Sequence, residues 1–346
     1  MAIRTPLIIA ALFGTALLNA QDARFEPAPS DSPSRFQREQ IQRKYGMFIH
    51  FGINTFHNQE WTDGTKPAAS YAPSAIDARQ WVETAKNAGM KYIILVAKHH
   101  DGFCLWDSAC TQYDVASSGN PTDVVDAVAR ECARQGIGLG LYYSLWDRNR
   151  NPDVADPSKD EAYNRYMLAQ IGELAAIVQR HTKLLEFWFD GGWEKPKQRW
   201  PIAEIYRAIK TAAPQCQVGV NWTIEIPGDP KKHVGPAEQK EGYPIRYFPS
   251  DFRLGDPCLP EFPDPKLFTH GGRTYYMPWE STVCISGKWF YHTEDDAYKS
   301  VDELAAIYRR ATAQDNILIL NAPPNREGRI REKDVQLLLK LREKIQ

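Results

Sequence analysis

The stretch EFWFDGGW, residues 186–193, is the most informative part of this sequence. Its apolar and aromatic residues predict a buried strand that ends on the carboxylate of Asp190, and the two glycines that follow let backbone or a ligand come close. Tryptophan rings around a carboxylate suit a sugar, because an aromatic face covers the apolar face of a pyranose. A strand whose terminal Asp caps the next helix would give the same pattern. This stretch alone therefore leaves both interpretations open.

Strand-like and helix-like segments alternate along the chain. Apolar runs predict strands at 44–51, 92–97, 138–144, 184–190, 217–222, 275–280 and 316–321, and helix patterns occupy 77–87, 122–135, 160–181, 202–213, 300–312 and 332–345. Such units predict parallel strands joined by right-handed crossovers. We therefore predict an α/β fold, a (β/α)8 TIM-like barrel, with one irregular unit in the Pro- and Gly-rich stretch 223–275. A doubly wound open sheet is disfavoured, because no Gly-rich phosphate turn follows the first strand.

The beginning of the sequence has the features of a targeting segment. Residues 1–20 combine Arg4 with an apolar run that is too short for a confident membrane span. They predict a signal peptide and export to the periplasm or the medium. Residues 21–38 are rich in Pro, Ser and charge and predict a flexible leader, and 39–346 are expected to form one catalytic barrel domain. No other segment is long and apolar enough to cross a bilayer.

Composition narrows the classes of partner. The formal net charge of −1 gives no electrostatic footprint for nucleic acid. Ten tryptophans suit carbohydrate stacking, although a large aromatic core accounts for part of this content. Disulfides are possible in an oxidising compartment, and 104–110 and 258–284 are the pairs near in sequence, but the sequence does not choose among the fifteen connectivities. The six cysteines are Cys104, Cys110, Cys132, Cys216, Cys258 and Cys284.

Polar and aromatic residues follow most of the predicted strands. In a parallel barrel all the carboxyl ends of the strands open on one face, so these side chains are expected to lie together. Each has an ordinary structural explanation by itself, but two carboxylates among hydroxyl-binding and ring-stacking side chains suit glycoside hydrolysis. The candidates are His50, Glu60, Trp61, His99, His100, Tyr143, Trp188, Asp190, Asp256 and Glu280.

Several of these motifs resemble those of the family 29 glycoside hydrolases, the α-L-fucosidases. They are KYGMFIHFG at 44–52, EW at 60–61, AKHHDGF at 97–103, GLYYS at 140–144, FWFDG at 187–191, WE at 279–280 and LILNAPPNREG at 318–328. The resemblance extends over about residues 40–345. It implies an exo-acting, retaining double displacement on terminal α-L-fucosyl residues, with fucosylated oligosaccharides or glycoconjugates as substrates. No metal and no organic cofactor are expected.

The resemblance also implies individual roles. Asp190 matches the nucleophile; His50, His99 and His100 match residues that bind fucose hydroxyls; and Glu60, Trp61, Tyr143 and Trp188 match further pocket positions. The acid/base is expected on the variable loop after the fifth strand, where Asp256 is the first candidate and Glu280 the second, as acid/base or pocket residue. Glu238 and Glu261 are rivals. Many relatives carry an Arg shortly after the Asn of strand five, whereas Asn221 is followed here by Trp222 and Thr223. The leaving-group side of the site is thereby in doubt.

Other functions stay open at this point. A secreted carbohydrate-binding protein of the same fold without turnover is one, because the acid/base is poorly fixed and the Arg is missing. A glycosidase for a fucose-like sugar, such as an α-L-galactoside, is another. A metal-dependent hydrolase using the histidines and Asp190 is disfavoured, because adjacent side chains on a strand point to opposite faces. The sequence indicates neither the fucosyl linkage nor the oligomeric state.

Overall fold

The computed structural model describes residues 25–151 and 157–346. The strands there are β1 Tyr45–Ile49, β2 Tyr92–Lys98, β3 Gly138–Ser144, β4 Leu184–Asp190, β5 Gln217–Val220, β6 Leu267–His270, β7 Arg273–Tyr276, β8 Glu280–Cys284 and β9 Ile317–Asn321. The α-helices are α1 Arg35–Arg43, α2 Ile53–His57, α3 Ala78–Asn87, α4 Val124–Gln135, α5 Pro157–Gln179, α6 Ile202–Ala212, α7 Val301–Ala311 and α8 Glu332–Ile345.

A curled sheet of seven parallel strands forms the centre of the protein, in the order β5-β4-β3-β2-β1-β9-β8. Its inner face carries an aromatic-rich cluster that includes Phe48, Tyr142 and Trp188. Its outer face packs beneath the helices in a larger cluster that includes Tyr143 and Phe189. Both faces are covered, as is usual for parallel sheets. The predicted α/β fold with parallel strands is confirmed.

The eighth position of the barrel is irregular, and the (β/α)8 barrel is not closed by a strand among the described residues. Segment 251–254 lies between the two edge strands instead. The Asp251 amide donates to the Val218 carbonyl at 2.7 Å, the Arg253 amide donates to the Pro278 carbonyl at 2.8 Å, and the Arg253 carbonyl accepts from the Glu280 amide at 3.1 Å. The antiparallel hairpin β6–β7 follows within the stretch where the sequence predicts an irregular unit.

Arg253 fixes this segment through its side chain. It is fully buried, and its guanidinium donates to the Met277 carbonyl at 2.9 Å, to Gln239 Oε1 at 2.8 Å and to Asp264 Oδ1 at 2.9 Å. A planar guanidinium can satisfy such diverging acceptors because its donors leave in fixed directions. On the other side, the Asp251 carboxylate accepts from the Val218 amide of β5 at 2.8 Å, so polar side-chain contacts replace part of a strand ladder.

The strand predicted at 275–280 is wrong as a single element. Its beginning belongs to β7, which ends at Tyr276, and β8 begins only at Glu280. Pro278 lies between them and has no amide hydrogen to contribute to a ladder, so the chain leaves the hairpin and enters the parallel sheet there. The other six predicted strands are found, and β3 and β4 coincide with their predicted bounds.

The helix ends follow local capping. Asp77 accepts from the Gln80 amide at 3.0 Å and starts α3, and Ser300 forms a capping box with Glu303 at the start of α7. Helix α4 starts at Val124 and not at the predicted residue 122, because Asp123 is the cap. Gly136 ends α4 with a φ of 70°, a conformation that favours glycine.

The N-terminal predictions are met only in part by the described residues. The predicted signal peptide, 1–20, lies outside them. Within the predicted leader, 21–38, helix α1 already begins at Arg35, because Ser34 and Gln37 form a capping box. Gln37 also donates to the Asp251 carbonyl at 2.7 Å, which attaches α1 to the irregular segment. The flexibility of the earlier part of the leader stays a prediction.

Two further sequence predictions concern membranes and cysteines. No helix within 25–151 or 157–346 has the length and apolar character needed to span a bilayer. All six cysteines lie in these ranges and are free thiols, so neither of the two suggested disulfides is formed.

Glu280 lies at the wrong end of the sheet for its predicted role. It is the first residue of β8 and is buried near Glu186, at the end where the parallel strands begin. Tyr92 Oη donates to Glu280 Oε2 at 3.0 Å, and Gln40 Nε2 donates to Glu186 Oε2 at 3.2 Å. The prediction that Glu280 serves as acid/base or pocket residue is therefore wrong. The Trp279-Glu280 motif precedes its strand and does not follow it.

The Glu186–Glu280 pair holds a proton that an exposed pair would lose. Burial, followed by the charge of Glu186, raises the pKa of Glu280 well above its usual range, and the Tyr92 hydroxyl and Arg43 oppose this only partly. Burial also raises the pKa of Glu186 to about 7. Two carboxyl groups facing each other in a dry interior cannot both ionise at low cost. At neutral pH the pair therefore carries at least one proton.

We expect Glu280→Gln to change the pH dependence of stability. A raised folded-state pKa means that the protonated group stabilises the fold below the unfolded pKa of about 4.3, and that this contribution is lost as the pH rises through the folded pKa. The variant stays neutral at every pH, so its free energy of unfolding should fall less between pH 5 and pH 8, by about 1 kcal/mol per pH unit. Denaturant unfolding at several pH values measures this slope.

Glu238→Gln is the matched control, because Glu238 forms a surface ion pair with Lys231. It should reproduce the wild-type slope. Equal slopes for Glu280→Gln and the wild type would contradict the assignment of a shared proton to this pair.

Candidate active site

A pocket of about 420 Å³ opens at the carboxyl ends of the parallel strands, opposite Glu186 and Glu280. It contains the predicted residues His50, Trp61, His99, His100, Trp188, Asp190 and Asp256. The remaining lining residues are Phe48, Tyr142, Trp193, Glu194, Asn221, Trp222, His233, Pro257 and Trp289.

Asp190 ends β4 and is held by three donors. Tyr142 Oη donates to Asp190 Oδ2 at 2.7 Å, Asn221 Nδ2 donates to Oδ1 at 3.0 Å, and the Gly191 amide donates to Oδ1 at 2.8 Å. Gly191 has a φ of 76°, and a Cβ there would lie 2.9 Å from Cβ of Trp146. Burial raises the pKa of Asp190 to about 6, and the three donors oppose that rise. The carboxyl group is therefore mostly ionised at neutral pH.

Four histidines line the pocket, and two of them, His50 and His100, have their tautomer set by neighbours. His50 Nδ1 lies 2.7 Å from Asn321 Oδ1, and Asn321 Nδ2 donates to the Trp289 carbonyl at 2.8 Å. His100 Nδ1 lies 2.6 Å from Ser144 Oγ, whose hydrogen goes to the Trp146 carbonyl at 2.6 Å. In both cases Nδ1 is the donor, so Nε2 is left as an acceptor.

The imidazoles of His50, His99 and His100 are neutral in this site. Burial lowers the pKa of His50 and of His100 to about 3, and burial lowers the pKa of His99 well below its usual range. His100 Nε2 lies 3.7 Å from Asp190 Oδ2, too far for a direct hydrogen bond. Neutral imidazoles can accept hydrogen bonds from hydroxyl groups at neutral pH, which imidazolium ions cannot.

Unpaired polar atoms remain among the pocket side chains. His99 Nδ1 and Trp188 Nε1 are buried and have no hydrogen-bond partner among the described residues. Leaving such atoms unpaired is costly, so they favour a ligand that offers matching groups. Phe48, Trp289 and the ring of Trp188 supply apolar surface in the same pocket. A small ligand with hydroxyl groups and one apolar face fits this combination.

Asp256 is joined to Asp190 through Asn221. The Asn221 side chain donates to Asp190, and its Oδ1 accepts from the backbone amides of Asp256 at 3.0 Å and Trp222 at 2.9 Å. Thr282 Oγ1 donates to Asp256 Oδ1. Burial raises the pKa of Asp256 to about 8; the Thr282 hydroxyl opposes this rise, and the charge of Asp190 adds to it. Asp256 is therefore largely protonated at pH 7.

The remaining predicted acids lie outside the pocket. Glu60 is at its edge, where Oε2 accepts from the Trp289 amide at 3.0 Å and Oε1 lies 3.1 Å from His292 Nε2. It holds the segment that carries Trp289. Glu238 pairs with Lys231, and Glu261 pairs with Arg310 at 2.6 Å, both at the surface.

The predicted pocket role of Tyr143 is wrong by one residue. Its side chain lies behind the sheet, where the hydroxyl donates to Gln170 Oε1 on α5 at 2.7 Å. Tyr142 points into the pocket and contacts Asp190 instead. Side chains alternate along a strand, so only one of the two tyrosines can face the interior. Tyr142 pairs with Trp188 in the sheet register, and Ser144 pairs with Asp190, which places all four on one face.

Sequence reasoning missed several pocket residues. The sequence could have indicated Tyr142, because it lies two residues before Ser144, the last residue of β3, and residues two apart on a strand share a face. Glu194, His233 and Trp289 come from loops between elements and have no periodic signal. Trp222 has a φ of 59°, a left-handed conformation unusual for a bulky residue. The Trp222 backbone amide donates a hydrogen bond to Asn221 Oδ1 in this strained conformation. The conformation places the indole in the pocket wall.

Within 25–151 and 157–346, no group of three or more His, Cys, Asp or Glu side chains is arranged to hold a metal ion.

The family model described as Alpha-L-fucosidase matches residues 65–343, more than half of the chain. The chain belongs to the α-L-fucosidase family. Among the relatives of this family member is a rice (Oryza sativa subsp. japonica) protein provisionally named α-L-fucosidase 1, 33% identical over 354 residues, covering 96% of this chain and 63% of the relative. The α-L-fucosidase 1 of Arabidopsis thaliana is 30% identical over 334 residues, covering 94% and 61%.

Solved structures show the same likeness. A Bacteroides ovatus structure provisionally described as an α-L-fucosidase is 29% identical with a TM-score of 0.71, covering 94% of this chain and 58% of that one. This chain spans 61–63% of the length of the rice and Arabidopsis relatives. The names of these relatives are those of glycoside hydrolases.

We expect Tyr142→Phe to raise the pKa of Asp190 above its value of about 6, because the variant removes the strongest opposing donor. Titration of 13C-carboxyl-labelled aspartates by NMR measures this pKa directly. The matched control is Tyr143→Phe, which removes a hydroxyl on the other face of the same strand and should leave the Asp190 titration in place. An Asp190 pKa that stays the same in Tyr142→Phe, or moves equally in both variants, would contradict the described geometry.

Proposed function

We propose that this protein is an exo-acting, retaining α-L-fucosidase that releases terminal α-L-fucosyl residues from glycans. One observation carries the proposal: two carboxyl groups, linked through Asn221 in a single pocket, have pKa values of about 6 and about 8. Surroundings that separate the pKa values of two acids in one site assign them different tasks. Asp190 would be the nucleophile and Asp256 the acid/base. Membership of the family supports the substrate class.

The first step follows from these protonation states. Ionised Asp190 attacks the anomeric carbon of the fucosyl unit and forms a carbon–oxygen bond. The bond to the leaving oxygen breaks, and protonated Asp256 gives that oxygen its proton. In the second step, ionised Asp256 takes a proton from water, the water oxygen attacks the same carbon, and Asp190 leaves. Two displacements at one carbon retain the configuration.

The rest of the pocket suits the sugar part of the substrate. Neutral His50 and His100 offer Nε2 atoms as acceptors for hydroxyl groups, and Trp188 offers its free indole N–H. The apolar surface of Phe48 and Trp289 suits a deoxy sugar, whose methyl group needs no hydrogen-bond partner. A pocket of about 420 Å³ has room for one terminal sugar unit.

Export forms part of the same proposal, and it is supported by the charged and apolar pattern of residues 1–20.

Two alternative functions are distinguished from the proposed one by simple substrate panels. An α-L-galactosidase would prefer aryl α-L-galactosides to aryl α-L-fucosides, and a binding protein would retain fucose without turnover of either.

We expect Asp190→Ala to lower kcat on an aryl α-L-fucoside by about 10⁴-fold or more, because no carboxylate is left to attack. A 2-fluoro-fucosyl reagent should label the wild type at Asp190, and peptide mapping by mass spectrometry identifies the residue. Asp107→Ala, in a surface loop, is a control that should retain turnover. Full activity of Asp190→Ala, or a label on another residue, would overturn the assignment.

The pH dependence of kcat/KM gives a second test. It should rise through about pH 6 as Asp190 ionises and fall through about pH 8 as Asp256 loses its proton, with both limbs belonging to the coupled pair. Asp256→Asn should remove the alkaline limb and should slow substrates with poor leaving groups more than aryl fucosides. Glu194→Gln is the control at the other acid of the pocket. If Glu194→Gln removes the alkaline limb and Asp256→Asn keeps it, Asp256 is not the acid/base.

A further inference from the structure

Trp61 is an aromatic side chain of the pocket that packing alone does not hold. It is one of two large hydrophobic side chains that stand exposed in the part of the chain that the structure describes, with 49% of its surface open to solvent. It lines the pocket, and its ring centroid lies 5.5 Å from that of His100, with the two planes at 81°. A half-exposed indole gains only part of the free energy of burial, so other contacts must fix its position.

Arg148, from the loop after β3, makes such a contact. Its guanidinium carbon lies 5.6 Å from the ring centroid of Trp61 and 4.1 Å from that of Trp146. Its Nη1 donates to the carbonyl of Thr62, the residue next to Trp61, at 2.9 Å. A planar guanidinium can pack against aromatic faces and donate hydrogen bonds within its plane at the same time. One side chain thus contacts both the indole of Trp61 and the backbone beside it.

The loop that carries Arg148 is itself firmly anchored. Asp147 is fully buried and pairs with the equally buried Lys98 of β2 at 2.8 Å, while its Oδ1 accepts from the Asn149 amide at 3.0 Å. The Arg148 amide donates to the His100 carbonyl at 2.8 Å. Breaking a buried ion pair is costly, so this pair keeps the loop in place. The backbone of Arg148 therefore has a fixed position relative to His100.

We propose that Arg148 is a positioning residue of the active site, which holds the Trp61 indole beside His100 and so gives the sugar a preformed aromatic wall. The inference rests on the proposed function, because it assigns Arg148 a task in that reaction. Arg148 does not itself line the pocket, so it acts through Trp61. A ring that is fixed before the ligand arrives costs less conformational entropy when the ligand binds.

The charge of Arg148 is compatible with this task. Burial, followed by the charge of Arg148, lowers the pKa of His100 to about 3, so the imidazole beside Trp61 stays neutral. Glu194, Asp101 and Asp63 surround Arg148 and oppose the fall in its pKa that burial causes. A guanidinium stays charged at any pH at which the protein is folded. The attraction between this cation and the indole rings therefore persists across the working range of the site.

A double-mutant cycle on an aryl α-L-fucoside tests whether Arg148 acts through Trp61. Arg148→Ala should lower kcat/KM by about tenfold, the effect of one partly desolvated cation–aromatic contact. The loss should appear mainly as a higher KM, because Asp190 and Asp256 stay in place. In the Trp61→Ala background the same substitution should change kcat/KM by less than about twofold, since the ring that it positions is absent.

Arg150→Ala is the matched control for the loss of a cation from this loop. Arg150 is exposed, and its guanidinium carbon lies 5.5 Å from the ring centroid of Tyr166 on α5, a residue that does not line the pocket. The variant should retain the wild-type kcat/KM.

Fluorine NMR of protein labelled with 5-fluorotryptophan reports the position of the ring without any substrate. The Trp61 signal is assigned with Trp61→Phe. In Arg148→Ala it should move toward the signal of free 5-fluorotryptophan, because the indole loses its cation and a neighbour that restricts it. In Arg150→Ala it should stay at the wild-type position.

Three results would overturn the inference: wild-type kcat/KM in Arg148→Ala, an equal loss with and without Trp61, or a Trp61 fluorine signal that Arg148→Ala leaves unmoved. Absence of turnover of every fucoside by the wild type would instead contradict the proposed function. The fluorine signal would then still decide whether Arg148 holds the ring.

Discussion

The alternation of side chains along seven parallel strands is the constraint on which the site depends. It sends Tyr142, Ser144, Trp188 and Asp190 to the inner face and Tyr143 and Phe189 to the helices. Large inner side chains fit because glycines face them: a Cβ at Gly140 would lie 2.4 Å from Ile94, and one at Gly219 would lie 2.5 Å from Phe252. The interior is thus filled by side chains up to the level of the pocket, whose floor is rigid.

A dry, rigid floor determines the electrostatics above it. Burial lowers the pKa values of His50 and His100, so both are neutral. It raises the pKa values of Asp190 and Asp256, to different extents. Three hydrogen-bond donors oppose the rise in the pKa of Asp190. Only the Thr282 hydroxyl opposes the rise in the pKa of Asp256, and the negative charge of Asp190 adds to it. The difference between the pKa values of the two carboxyl groups therefore comes from the number of donors that each receives and from the charge of Asp190 beside Asp256, since Asp256 is the less buried of the two and still has the higher pKa. Asn221 contributes to this asymmetry, because its amide hydrogen faces Asp190 and its oxygen faces the backbone of Asp256.

Much of the fold could be predicted from the sequence because its signals are local. The helix patterns and the apolar strand runs placed most elements within a few residues, and the strand ends led to Asp190 and the histidines. Tyr143 was chosen over Tyr142 although strand parity could have decided between them. Glu280 was misplaced because a Trp-Glu pair does not show whether a strand begins or ends there. Segment 251–254 and loop residues such as His233 depend on contacts between distant parts of the chain, which a single sequence does not display.

The irregular eighth position has an evolutionary consequence. Insertions or deletions within a hydrogen-bonded strand shift every following side chain to the other face, so they are rarely tolerated. Segment 251–254 is anchored by the side chains of Arg253 and Asp251, with a few backbone bonds to either edge. The loop that carries Asp256 can therefore change length while the anchor persists. Selection is then free to reposition Asp256, the proposed proton donor, for new leaving groups without rebuilding the scaffold that holds Asp190, the proposed nucleophile.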